Sequence, residues 1–426
     1  MNVLSTRDRR TRFFIVFVVV SLHTLRHLLG VFYMVIYGVV AVMALMDSIR
    51  TGGLRRTCSK NGMFVVWLGL GLMGLLTTVA ISGLSAGLTG ISRFLYCVPI
   101  FLAFAAYTDD SRDLKSYLRG FVVFFGFASL TLPLQLFTGP ISWFAAAGVR
   151  GGEDRFSSLI GSLTSIGIAV GCYLVMTETF KKRRQMVWII ILMVPSLMAL
   201  SKAAIANIAI ALAIVVWMNR RRLSRVAIGL VVLAAAFLFL YGSVPEVADR
   251  VDVVLVSFGV QNTDIVSYDT DFDQSAINRL IDLPLKNFAV LPTLGSPFVY
   301  LVGGGYGMGS TALVSEAASL GPMTHNQFAE FFSVFGIFGG IVAVGVSVHI
   351  LTRTFRLNRP DQPLWLQAIP FAYLLLFVNG LFANGTVYQP ATGVIFFMAM
   401  FVASDVQRWG RPAVDAELDH MLGAKT

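Results

Sequence analysis

Charge is scarce in this chain: 13% of its 426 residues are Asp, Glu, Lys or Arg, against 56% hydrophobic. A soluble fold carries roughly twice that charged fraction, so neither a water-soluble enzyme nor a disordered chain fits. Cysteine is scarce. Cys58, Cys97 and Cys172 have no CxxC spacing, and the last two lie in apolar runs. That excludes a disulfide framework or cysteine-zinc site and leaves three packing residues. There are five histidines, and no HExxH or paired histidines near the candidate site below, so metal catalysis has little support. A signal cleavage site is missing too: Arg7, Arg9, Arg10 and Arg12 precede an apolar stretch with no small-residue motif before the next run, which predicts an uncleaved first helix. Nor is there an internal repeat in the range of about 20 to 50 residues, which weakens a transporter built from repeats.

What the chain has instead is long apolar runs. A hydrocarbon layer needs about 20 apolar residues per helix. Hydropathy predicts twelve spans, at 12–28, 29–47, 61–82, 90–107, 118–137, 158–178, 186–200, 203–218, 225–242, 327–351, 365–383 and 389–404. The expected fold is therefore all-α, a polytopic helical bundle. With both termini cytoplasmic, 25 of the 33 Lys and Arg residues fall on the inner side, as positive-inside bias requires. That placement explains the net charge of +10 without nucleic acid, and gives the runs KKRR and NRRRLSR a topological role with lipid headgroups as secondary contacts.

This topology divides the chain into spans one to nine over 1–242, with a short outer loop at 138–157, a large outer loop at 243–326, spans ten to twelve over 327–404 and a tail at 405–426. The large loop holds nine acids against Arg250, Arg279 and Lys286, a net −6 that sets its few cations apart as candidate anion contacts. Amphipathic spacing around 246–257 and 276–290 predicts short helices on the membrane surface. The late run Gly303, Gly304, Gly305, Gly307 and Gly309 follows no βαβ strand and lacks a P-loop lysine, which excludes a nucleotide loop. A backbone able to take positive φ and approach a ligand or helix closely is the economical reading.

The sharpest motif is THNQFAEFFSVFGIFGG at 324–340. His325 and Asn326 open the tenth span, and Gly336 stands eleven positions after the histidine, where a small side chain permits close helix approach. An imidazole at a membrane boundary can titrate near neutrality and take a proton from a hydroxyl. Glu330 falls in the apolar start of that helix, where a carboxylate usually has a partner or a role. The plainer reading has His325 and Asn326 capping the helix and Glu330 facing interfacial water. In AGVRGGEDRFSSLIGS, Arg150 precedes Gly161 by eleven positions and Arg155 follows on the same outer side. Guanidinium groups fork onto phosphate oxygens, although here they could equally pair with Glu153 and Asp154. Lys202 sits at an outer turn where topology does not call for a cation; it can snorkel or reach into a polar cavity. Arg279 is a third candidate, with a salt bridge to neighbouring acids as its alternative.

These features resemble the bacterial O-antigen polymerase and O-antigen ligase superfamily. The likeness is architectural over nearly the whole chain. Its short motifs are His325 with ten residues to Gly336 and Arg150 with ten residues to Gly161, which look like the family's H-x10-G and polymerase R-x10-G elements. Arg155 also resembles the family's arginine before the sixth span, so either arginine can be the equivalent. Ser201 and Lys202 stand where the family often has Ser-Arg. The resemblance implies a GT-C-like fold in the bacterial inner membrane with a periplasmic site, and a donor and acceptor that are undecaprenyl diphosphate-linked glycans. It implies His325 as base or orienter, with Asn326 and Glu330 holding it or the acceptor. Arg150 or Arg155, Lys202 and Arg279 would take the diphosphate, with Gly161, Gly305, Gly307 and Gly336 structural. No cofactor, metal or nucleotide sugar is required. Membrane lipids, and by extension a chain-length regulator and a flippase, are the expected partners. The Arg150 motif favours polymerase over ligase. A lipid-glycan flippase or other twelve-span transporter is the rival from another class, but it would be expected to carry charge within its spans.

Overall fold

The computed structural model describes residues 6–24, 31–60, 62–139, 141, 148–150, 153–155, 159, 163–198, 202–219, 238, 241–242, 278–308, 313, 319–322, 324–383 and 385–409. Their regular structure is helical apart from one small antiparallel hairpin. Helices α1 (Thr6–Thr24), α2 (Val31–Arg50), α3 (Gly53–Lys60), α4 (Met63–Ser82), α5 (Leu84–Phe94), α6 (Val98–Tyr107), α7 (Ser111–Ser129) and α8 (Thr131–Thr138) come first. The hairpin strands β1 (Gly148–Arg150) and β2 (Glu153–Arg155) follow, then α9 (Leu163–Met176), α10 (Lys182–Met198) and α11 (Lys202–Met218). After a π turn at Asn278–Asp282 come α12 (Leu283–Phe288), α13 (Val299–Val302), α14 (Gln327–Phe355), α15 (Leu364–Asn379), α16 (Pro390–Ser404) and α17 (Val406–Trp409). Where they are described, the apolar segments expected as spans are largely helical; 225–242 lies outside the described residues apart from 238, 241 and 242.

Among the described residues four helical stretches are long and apolar enough to cross a membrane: Met63–Ser82, Leu84–Tyr107, Ser111–Gln135 and Gln327–Phe355. A fifth arises if Val35–Arg50 and Gly53–Lys60, bent by 74°, count as one. Gly52, with φ +66°, makes that bend, and Gly53 then packs so tightly on Ala105 that a Cβ would lie 1.9 Å from its carbonyl oxygen. Gly167–Thr179, Ala206–Met218, Leu364–Asn379 and Ala391–Ser404 are apolar but shorter. Two of the short helices form the centre. From Ile168 to Met176, and from Ala391 to Ala403, the apolar side chains are almost wholly enclosed, as expected for helices that are hydrophobic all round. The Tyr173 hydroxyl joins them by donating to the Ala391 carbonyl at 2.8 Å. Cys58, Cys97 and Cys172 are free thiols.

The bundle has two chemically different ends. At one, Arg12 pairs with Asp109 and Lys60 with Asp405, while Arg408 donates to the Thr108 carbonyl at 3.0 Å. Asp110 caps α7 there by accepting from the amides of Arg112 and Asp113. Nearby loops are pinned by Arg119 Nε to Thr179 O at 2.7 Å and by Glu178, which accepts from Gln185 and Asn219 beside Lys182. All of these cations belong to clusters expected on the inner side. The start of α14 belongs to the other end.

Candidate active site

The left-handed conformation of His325 is the first sign that the α14 entry is a built structure. With φ +48°, it is the one non-glycine residue with positive φ among the described residues. L side chains adopt this region rarely, Asn, Asp and His more often than the rest, and it costs about 1 kcal/mol or more. The residues after it hold the turn. Asn326 is the N-cap: its Oδ1 accepts from the Phe328 and Ala329 amides at 3.0 and 3.1 Å, which answers two donors at the helix start. Thr324 Oγ1 donates to the Asn326 carbonyl at 3.0 Å. The Asn326 amide oxygen is thus committed to structure, as the capping reading proposes. His325 stands half-buried just ahead of it.

Glu330 does not face water. It is fully enclosed, and its Oε2 accepts from Gln327 Nε2 and from the Gly385 amide, each at 3.0 Å. Thr386 Oγ1 donates to Gln327 Oε1 at 3.2 Å, and the Gln327 amide donates to the Gly380 carbonyl at 2.7 Å. A buried carboxylate is tolerable only with such donors. Together Gln327, Glu330, Gly380, Gly385 and Thr386 lock the start of α14 onto the turn joining α15 to α16. Arg279 reaches the same turn, with Nη1 donating to the Phe382 carbonyl at 3.2 Å. A cavity of about 20 Å³ beneath Gln327, bordered by Ser347, Tyr373 and Thr386, has room for one water.

Deeper in α14, Gly336 breaks the helix with φ +67° and ψ −170°. A Cβ there would lie 2.4 Å from the Gly303 nitrogen, and one on Gly303 would lie 2.5 Å from the Gly336 nitrogen. The break frees two carbonyls that the glycine run satisfies: the Gly304 amide donates to Ser333 O at 2.9 Å and the Gly305 amide to Val334 O at 3.1 Å. Gly303 and Gly305 have φ of +85° and +74°, which only glycine adopts freely. Gly307 is buried, and its carbonyl accepts from the Leu320 amide at 2.9 Å. Buried Asn287 ties this run to the chain before His325, with Nδ2 donating to the Met308 and Pro322 carbonyls, each at 2.7 Å.

The other expected cations are placed by backbone. Arg150 ends β1 in register with Glu153, and Arg155 ends β2 in register with Gly148. Lys202 is the first residue of α11. Gly161, and the loop between 243 and 277, lie outside the described residues. Among the described residues no group of three or more His, Cys, Asp or Glu side chains is arranged to hold a metal ion.

Sequence reasoning missed Gln327, Gly385, Thr386 and Asn287. Only Gln327, beside the His-Asn pair, offered a signal. It also missed a buried amide pair linking α11 and α15, in which Asn207 Nδ2 donates to Asn379 Oδ1 at 2.8 Å and Asn379 Nδ2 to Asn207 Oδ1 at 2.6 Å. Polar amides within apolar runs were the available clue there. The sequence matches no known family profile, and no curated protein matches it.

Proposed function

We propose that this chain is a polytopic membrane glycosyltransferase of the O-antigen polymerase type, acting on undecaprenyl diphosphate-linked oligosaccharides at the periplasmic face of a bacterial inner membrane. The proposal includes the twelve-span topology, to which the apolar helices and the segregated basic clusters lend support. The observation that carries the site is the convergence on one turn. Gly380, Phe382, Gly385 and Thr386 receive Gln327, Arg279 and Glu330, and Gln327 stands two residues after a histidine, His325, held in a strained conformation. Backbone strain of this kind is maintained where surrounding contacts overdetermine it, and it concentrates at functional sites.

In the proposed reaction a sugar hydroxyl of the acceptor attacks the anomeric carbon of the donor glycan. The new C–O bond forms as the bond to the lipid diphosphate breaks, and the hydroxyl proton passes to the His325 imidazole. The diphosphate leaves with the bond's electron pair. Arg279, with Arg150 or Arg155 and Lys202, would offset its charge. Asn326 and Glu330 act through position: one starts the helix that carries His325, the other fixes the turn beneath it. The leaving group is already activated, so the scheme calls for no nucleotide sugar or metal.

The test is reconstitution. Purified protein in proteoliposomes receives its lipid diphosphate-linked repeat unit, and products are resolved by size. A ladder supports the polymerase. Transfer only after lipid A core is added would make the protein a ligase with the same site, and inertness with a competent substrate would overturn the transferase reading.

A further inference from the structure

The stretch from Phe298 to Tyr306 belongs to the large segment that topology places outside the membrane, yet its partners lie well down two apolar helices. The Tyr306 amide donates to Thr78 Oγ1 at 2.7 Å, and its hydroxyl donates to the Gly71 carbonyl at 2.6 Å. Gly71 precedes the end of α4 at Ser82 by eleven residues. At the helical rise, that puts the tyrosine hydroxyl about 16 Å from the helix end. Gly303 meets Val334 and Gly336, and Gly336 lies nine residues into α14. That is a depth of about 13 Å along the helix. A loop lying on the membrane surface does not reach these positions.

Its outward side has the opposite character to a water-facing loop. Phe298 is 67% exposed and Tyr300 44%, with Leu301 and Val302 exposed beside them. Val302 shares an apolar groove with Leu72, Met73, Leu76 and Ala80 of α4, and Leu76 is itself 62% exposed. Four backbone donors of this stretch are paired within the protein: the amides of Gly303, Gly304, Gly305 and Tyr306 bond Val299 O, Ser333 O, Val334 O and Thr78 Oγ1. Irregular backbone is tolerated at membrane depth where protein supplies such partners.

We infer that Phe298–Tyr306 is a re-entrant element, entering the hydrocarbon layer from the His325 side and returning to it, with the acyl chains of the bilayer as the partner of its apolar face and groove. The glycines at 303, 305 and 336 are what let it seat between α4 and α14. The inference rests on α4 and α14 crossing the membrane and is independent of the transferase chemistry.

Nitroxide labels on cysteines replacing Phe298, Tyr300 or Leu301 test it, in a Cys58→Ser background reconstituted in vesicles, by collision with oxygen, which partitions into lipid, and with a water-soluble nickel chelate. Leu76→Cys serves as lipid reference and Lys286→Cys, at an exposed position of α12, as aqueous reference. The expected result is oxygen-dominated relaxation at 298, 300 and 301, matching 76 and opposite to 286. Nickel-dominated relaxation at those three sites, with 76 still oxygen-dominated, would make the stretch a surface loop and overturn the inference. Nickel dominance at 76 would remove the spanning helix beneath it and overturn it as well. Where a label prevents folding, a tryptophan at the same position, read by quenching from brominated acyl chains, gives the same comparison.

Discussion

Gly303 and Gly336 exclude side chains from each other. Each takes a positive φ, and a Cβ on either would fall 2.4 to 2.5 Å from the other's backbone nitrogen. Alanine at either position combines left-handed strain with overpacking against backbone that cannot move aside, for an expected loss of about 2 to 4 kcal/mol. Because both substitutions break one contact, Gly303→Ala with Gly336→Ala should cost less than the sum of the two single losses. Thermal unfolding in detergent checks this, and full additivity would show that the two glycines act separately.

His325 carries strain that a catalytic or binding role would explain. His325→Gly should leave the fold intact and raise stability by up to about 1 kcal/mol, since glycine adopts this φ freely. Under the proposed mechanism the same substitution abolishes glycan transfer. A stability gain with activity retained would make the histidine a turn residue only.

Glu330 and Gln327 form one unit with Thr386 and Gly385. Glu330→Ala leaves buried donors without an acceptor and should destabilise by about 1 to 3 kcal/mol. Gln327→Ala then adds little in the Glu330→Ala background. Limited proteolysis around residues 380–389 gives a local readout: cleavage should rise in Glu330→Ala, and an unchanged pattern would separate the carboxylate from this turn.

Asn207 and Asn379 exchange hydrogen bonds across α11 and α15. Removing one amide strands the other in an apolar setting. Asn207→Leu should cost about 1 kcal/mol, while the double Asn→Leu variant should recover part of that loss. Unfolding of the two single variants and the double variant decides it; a double variant as unstable as the sum would argue against pairing.

The long helices were legible because an apolar run of spanning length suits little besides a helix in a membrane, and the histidine-to-glycine spacing at 325 and 336 drew attention to the helix that Gly336 breaks. The spacing suggested a close approach at Gly336 but not the broken helix, since a glycine within an apolar run reads as a small packing residue. Nor could it identify the partner, because Gly303 lies 33 positions earlier and only the folded chain joins them. Glu330 was visible as a costly carboxylate in an apolar stretch. Its donor at Gly385 was not, because a backbone amide leaves no trace in side-chain pattern. The placement of the glycine run within the bundle was hidden as well, since Gly-rich composition marks turns and close packing alike.

Transfer from a lipid diphosphate, with His325 taking the acceptor's proton, is the step on which the proposed function stands. The most direct measurement compares wild type with His325→Asn, which tolerates the left-handed conformation and lacks the base, in proteoliposomes given the lipid-linked repeat unit. The proposed mechanism predicts a ladder from wild type and none from the variant, with both proteins equally folded and inserted. A ladder of undiminished rate and length from the variant would contradict it.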